Sequence, residues 1–308
     1  VGKVKTNEEW WHEKVDQLVD QAKPFVSIAP DVVYEKDGLW PVLKLVFMKY
    51  ALGFYAPIMD AMRQNGQWGS IHLIDLCAGS GLTLLRGADH KGKSITVTGS
   101  ALIAAHETRF DHLHFVEPNK KSAKALEDRL AAKLPRQKFT VYNMSCKEAL
   151  PVIIKDLKEN WKNPHFMAFV DPEGVTETPL PELEPLLRLG RGDVLFNYQY
   201  MGIRRAGAAN ATAFFGDAGW PATGPEDDLR IFFLDRLKHY GRPKSTVINV
   251  AAGDGHGRYA YDMVYCAAET KAGNPWLQSF QKEVDKRMQG MTGAMLENII
   301  FGGQRMLF

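Results

Sequence analysis

The sequence predicts an α/β fold: a doubly wound, mostly parallel sheet of seven strands, with an antiparallel C-terminal hairpin and an N-terminal helical appendage. Three observations carry this. Short apolar runs at 71–76, 112–117, 138–142, 166–170, 192–198, 245–250 and 259–268 alternate with amphipathic helical patterns, the rhythm of a sheet crossed by helices. The last two runs are joined by "AAGDGHGR", too short for a crossover helix, so they pair antiparallel. Residues 1–66 show helical periodicity instead.

The elements follow in order. Thr6 and Glu9 form a capping box before Val15, Leu18, Val19 and Ala22 at helical spacing. Residues 24–38 read as a loop. "GLWPVLKLVFMKYALGFYAPIMDAM" reads as one long or kinked helix with Pro41 near its first turn. "NKKSAKALEDRLAAKL" places Ala123, Leu126, Leu130 and Leu134 on one face, and its charges on a solvated one. Residues 204–224, rich in Ala and Gly, read as a loop insertion or lid over the mouth of the sheet. His256 falls on the hairpin turn. The domain expectation is a helical region over 1–66, an α/β domain over 67–300 and a tail over 301–308.

Composition narrows the function classes. A chain of 308 residues, 45% hydrophobic, can bury one large domain with an appendage. Its formal net charge of +2 announces neither a nucleic-acid nor a membrane partner. Cys77, Cys146 and Cys266 stand far apart with no zinc-type spacing, which predicts ordinary buried thiols in a cytoplasmic protein. No stretch reads as a signal peptide. Val42–Met59 is apolar but broken by Lys44, Lys49, Gly53 and Pro57, so a buried helix pair is expected there and no membrane span.

Ligands in such sheets bind at the carboxyl ends of the strands, where strand order reverses. The first strand ends in "DLCAGSG": Asp75, then Ala78, Gly79 and Gly81. The glycines let the backbone approach a ligand, and a helix is expected to begin near Ser80 or Leu82. Neither GxxxxGK[ST] nor GxGxxG is present, so a carboxylate before a small-residue turn points to a cationic ligand group. The second strand ends in Glu117, where a ribose diol is gripped in nucleoside-binding sheets. Together these read as the two ends of S-adenosylmethionine; a capping Asp and a surface Glu are the plain alternatives. Asn143 or Ser145, ending the third strand, reaches the adenine or simply closes a turn. "FVDPEG" ends the fourth, with Asp171 to meet a nucleophilic amine and Glu173 exposed by the proline, or as ordinary turn residues. Asn197, Tyr198, Arg204 and Arg205 follow the fifth strand as candidate substrate contacts.

The tips "DLCAGSG", "FVEPN", "YNMS" and "FVDPEG" resemble the motifs of class I S-adenosylmethionine-dependent, Rossmann-like methyltransferases. With "LWPVLKLVFMKY", "GSALIA" and "LFNYQYMGIRR", residues 39–205 resemble the three-Cys-motif partner (TcmP) family. That resemblance implies S-adenosylmethionine as cofactor, a DNA-repair context and a three-Cys-motif protein as partner. The family's name refers to cysteines of that partner, so the cysteines here are not that motif. Two positions depart from the pattern. Ser145 stands where an acid is usual, and Glu173 where an aromatic is usual, which removes the ring that would stack on a flipped base. The tail "QRMLF" resembles a sliding-clamp-binding peptide, with Gln304, Leu307 and Phe308 as contacts, or folds back on the domain. The sequence therefore predicts methyl transfer to an unidentified nucleophile, with nucleic acid among the candidates. The alternative is a non-catalytic module of the same fold, binding nucleic acid or a partner protein and tethered to a clamp.

Overall fold

The computed structural model describes residues 5–87, 90, 92–251, 260–268, 275–288 and 291–302. The hairpin turn with His256, and the tail with Gln304, Leu307 and Phe308, lie outside them. The chain opens with α1 (Asn7–Ala22), β1 (Tyr34–Asp37), α2 (Trp40–Gln64), β2 (Ser70–Asp75), β3 (Leu82–Arg86), β4 (Ser94–Thr98), α3 (Ser100–Ala105) and β5 (His112–Val116). It continues through α4 (Lys120–Ala131), β6 (Phe139–Tyr142), α5 (Cys146–Glu159), β7 (Pro164–Val170), α6 (Leu180–Leu187) and β8 (Gly192–Tyr198). The remainder is α7 (Tyr200–Arg205), α8 (Ala208–Phe215), α9 (Glu226–His239), β9 (Lys244–Ala251), β10 (Ala260–Ala267), α10 (Pro275–Arg287) and α11 (Gly293–Glu297).

The seven expected strands form one sheet in the order β6-β5-β2-β7-β8-β10-β9. Six run in one direction, and β10 alone is reversed, pairing antiparallel with both β8 and β9. This is the methyltransferase-like fold. Strand order reverses at β2 and β7, so the tips carrying Asp75 and Asp171 flank the switch point.

Alternation along each strand divides the buried residues into two cores. Leu73, Phe115, Phe169 and Leu195 face α1, α2, α3 and α10, while Ile74, Val116, Val170 and Phe196 face α5, α6, α8 and α9. The N-terminal helices thus share a core with the sheet. Helix α2 is a single element, with Pro57 inside it. By length and composition it could cross a membrane, but 61% of its most apolar window is buried in the protein. On the second face His72 Nδ1 lies 3.3 Å from His114 Nε2, whose ring reaches Tyr142 Oη at 3.1 Å. Burial lowers the pKa of both imidazoles, His72 to about 4.

Four expectations are corrected. No helix follows Gly81: the chain enters β3, and β1, β3 and β4 form a second, three-stranded sheet. Leu82 and Leu85 are buried there, so an inserted hairpin satisfies the apolar pattern locally. The helix that packs behind the turn is α3, the "GSALIA" segment, and Gly99 N–H bonds to Gly81 O at 2.7 Å to close the hairpin's base. Residues 24–38, expected as loop, contain β1. The insertion at 204–224 is largely helical, because Phe214 and Phe215 of α8 are buried in the second core. Helix α4 is not solvated on every charged position, since Arg129 is fully buried.

Candidate active site

Strand parity decides which side chains meet at the tips. Asp75, Asp171 and Asn197 share the parity of Leu73, Phe169 and Leu195, so all three face α2 and α3. Tyr198 has the opposite parity. Its ring stacks on Phe233 at 3.9 Å and its hydroxyl donates to Leu229 O at 2.9 Å, which places it in the second core, away from the mouth.

Asp75 is fully buried. Its Oδ1 accepts from Cys77 N–H at 3.1 Å, which bends the chain into the turn. Its Oδ2 is buried and has no hydrogen-bond partner of good geometry among the described residues, with the Ser100 side chain near the carboxyl. Burial pushes its pKa up to about 7; Ser100 and the Cys77 amide pull it down, and the charges of Asp171 and Glu117 push it further up. Ala78 is buried, its N–H bonded to Val116 O at 2.9 Å, which ties the turn to the neighbouring strand. Gly79 and Gly81 have φ of 59° and 87°, the left-handed region. They differ in surroundings: a Cβ on Gly81 would meet Leu126 Cδ1 at 3.0 Å, whereas one on Gly79 would meet nothing within 4 Å. Gly81 is therefore packed, and Gly79 faces open space.

Glu117 is half-buried beside Gly79. Its Oε1 accepts from Asn119 N–H at 2.7 Å. Burial raises its pKa, the Asn119 and Gly79 amides lower it, and Glu173 and Glu177 raise it. Asn143 is spent locally, its Nδ2 donating to Glu117 O and Pro118 O at 3.0 and 2.9 Å. Ser145 caps α5 in a box with Glu148, whose Oε2 accepts from Ser145 Oγ at 2.7 Å.

Asp171 is held from two sides. Asn197 Nδ2 donates to its Oδ1 at 2.6 Å, and Lys44 Nζ of α2 lies 2.6 Å from its Oδ2. Glu173 is exposed, and its N–H donates to Glu177 Oε2 at 3.0 Å. Tyr34 of β1 reaches the same place; burial first, and then its hydrogen bond to Glu173, raise its pKa. Glu177 is likewise raised, by burial and by the charges of Glu173 and Asp171, against the Glu173 and Gly174 amides. Arg204 is taken up locally: Nη2 donates to Gly224 O and Pro225 O at 2.6 and 2.9 Å, pinning the entry to α9. Arg205 is exposed in the last turn of α7.

Sequence reasoning missed Tyr34, Trp40, Lys44, Glu177 and Arg129. Arg129 carried a weak signal, as a cation directly beside Leu130 of the apolar stripe of α4. Its side chain donates to Ser80 O at 2.6 Å and also to Ile28 O, Ala29 O and Val32 O, joining the glycine turn to the segment that leads into β1.

Asp75 makes a pH prediction. Its folded pKa of about 7 lies above the ordinary 3.8. Between those values the unfolded chain has already lost the proton that the folded one keeps. Stability therefore falls as pH rises from about 4 to about 7 and is level above that. Asp75→Asn removes this slope. The expected gain over wild type at pH 8 is roughly 1–3 kcal/mol in the ligand-free protein, less than the full shift because the new amide lacks a partner. Thermal melting from pH 4 to pH 8 checks it; curves that stay parallel reject it.

No known family model and no curated protein sequence matches the chain. Solved structures do. A Legionella pneumophila protein of family DUF519 matches at 11% identity and TM-score 0.44, over 77% of this chain and 92% of its own. The methyltransferase domain of bacterial CtHen1 matches at 12% and 0.37, over 72% and 99%. Trm1 from Pyrococcus horikoshii, in complex with S-adenosyl-L-methionine, matches at 10% and 0.39, over 74% and 58%. Likenesses this distant carry no argument about chemistry. The sheet order β6-β5-β2-β7-β8-β10-β9, with β10 reversed, is what makes the fold methyltransferase-like.

Proposed function

We propose that this protein binds S-adenosylmethionine at the tips of β2 and β5 and directs its methyl group to a nucleophile placed at the tip of β7. The carrying observation is the open space over left-handed Gly79, between a buried carboxylate with an unpartnered oxygen at Asp75 and the half-buried acceptor Glu117. A nucleoside with a cationic amino-acid arm suits these groups. Glu117 would accept from the ribose hydroxyls, and the Ala78–Gly81 turn would lie under the amino-acid arm. Asp75 would supply its negative field from below, since it is fully buried. When bound, S-adenosylmethionine supplies a methyl group on a cationic sulfur. Asp171, held by Asn197 and Lys44, would accept a hydrogen bond from the incoming nucleophile and fix its orientation.

The likeness of "DLCAGSG", "GSALIA" and "LFNYQYMGIRR" to the three-Cys-motif partner family supports this reading, and membership of that family is part of the proposal. Titration calorimetry with S-adenosylmethionine and S-adenosylhomocysteine tests it. Both should bind with micromolar dissociation constants, about −7 to −8 kcal/mol. A folded protein that gives no heat with either overturns it.

A further inference from the structure

Lys44 brings an ammonium to a mouth that also carries the carboxylates of Asp171, Glu173 and Glu177. It lies 2.6 Å from Asp171 Oδ2 and 5.5 Å from the centroid of the Trp40 ring. Both side chains of the pair are largely shielded, 15% exposed for Lys44 and 11% for Asp171. A carboxylate and an aromatic face together are the usual means of holding an alkylammonium group. The mouth therefore already holds one such group, attached to its own chain.

A second observation concerns unused bonding capacity. Asn197 is 4% exposed; its Nδ2 is committed to Asp171, and its Oδ1, on the same carboxamide, is buried with no hydrogen-bond partner among the described residues. The leftover atom is an acceptor. What completes it is a donor, and an ammonium carries three donors and no acceptor.

Charge points the same way. Glu173 and Glu177 stand at the outer edge of the mouth and interact electrostatically with each other, with Glu117 and with Tyr34. Such a rim attracts a cation and repels a phosphodiester. Arg204, which would serve a phosphate, has a guanidinium nitrogen committed to Gly224 O and Pro225 O.

Resting on the methyltransferase reading, we propose that the acceptor subsite recognises an alkylammonium group, the chemistry shared by polyamines and lysine side chains. The ammonium nitrogen gives up one proton to Asp171, and the freed lone pair forms the bond to the methyl carbon. The sulfur keeps the electrons of the broken bond as the neutral thioether of S-adenosylhomocysteine. Asp171 and Asn197 form the floor of the subsite, Trp40 one wall, and Glu173 and Glu177 its rim. Lys44 occupies part of the floor and competes with the incoming cation for Asp171.

Binding of spermidine, N-acetyl-lysine methylamide and a 20-nucleotide single-stranded DNA is measured by calorimetry, with S-adenosylhomocysteine affinity read separately. At least one amine should bind. Spermidine alone would assign a polyamine, and the lysine amide would assign a protein side chain. The double variant Glu173→Gln/Glu177→Gln should weaken amine binding about tenfold or more by removing two rim charges, while S-adenosylhomocysteine affinity stays within about threefold. Lys44→Met should strengthen amine binding about fivefold or more, because Asp171 loses its resident cation. A merely structural Lys44 would give lower stability with no such gain. If Lys44→Met does not fold, the double variant decides. Failure of both amines to bind, amine affinity indifferent to the rim, or DNA binding tighter than either amine overturns the subsite. Loss of the methyltransferase reading looks different: neither S-adenosylmethionine nor S-adenosylhomocysteine binds, whatever the amines do.

Discussion

Arg129→Met is expected to destabilise the protein by about 3–5 kcal/mol, from the loss of charge-assisted hydrogen bonds and the stranding of their acceptors. The guanidinium is fully buried, and it donates to the carbonyls of Ile28, Ala29, Val32 and Ser80 at 2.6 to 3.2 Å. Burial pushes its pKa down to about 10, so it remains charged at neutral pH. Ala29 sits at a φ of 48°, a left-handed conformation that costs a non-glycine residue about 1 kcal/mol or more. The carbonyls it holds are thus part of a segment that would not adopt this path unaided. Met fills much of the volume but donates nothing, and the carbonyls lose their partner away from water. Urea unfolding of the two proteins measures the difference. Arg129→Lys should fall between them, because a single ammonium cannot span four carbonyls. A loss below about 1 kcal/mol for Met would mean that water or a shifted side chain replaces the guanidinium.

Glu117→Ala is expected to weaken S-adenosylmethionine and S-adenosylhomocysteine alike, by about a hundredfold. The proposed contact is to the ribose, which the two share, and two hydrogen bonds to a charged acceptor are worth about 3 kcal/mol. The fold should tolerate the change. Glu117 is only half-buried, and the turn retains the Ala78 N–H bond to Val116 O and the Arg129 bond to Ser80 O. Removing the carboxylate frees the Asn119 amide that it accepts from, but that amide is exposed to water. Calorimetry on a variant with a normal melting curve separates binding from folding. Unchanged affinity for both ligands would take Glu117 out of the site. Selective loss of one would place it near the sulfur instead of the ribose.

Much of the architecture was legible because a sheet buried on both faces needs continuous apolar strands. The runs at 71–76 and 192–198 could hardly be anything else. The parity of the tips was legible too: Asn197 and Tyr198 are adjacent and must point to opposite faces, so only one could line the mouth. The inserted sheet was harder. "LTLLR" has no clear alternation and follows a glycine turn that usually opens a helix. "SITVT" at 94–98 did carry a β-branched signal, and read with "GSALIA" after it, it would have moved the helix start to Ser100.

By itself, the sequence determined the seven strands, the antiparallel end of the sheet and the carboxylates at its tips, because strand period and turn chemistry act between near neighbours. Only the tertiary structure decided what those carboxylates meet. Lys44 and Asp171 are 127 positions apart, and Arg129 holds carbonyls about 100 positions before it. No local pattern encodes such pairs. They arise when α2 lies across one face of the sheet and the inserted hairpin closes beside the glycine turn. The same packing removes Asp75 from water and leaves an oxygen without a partner. A carboxylate at a strand tip thereby becomes one poised near neutrality, since its pKa follows from the solvent it has lost.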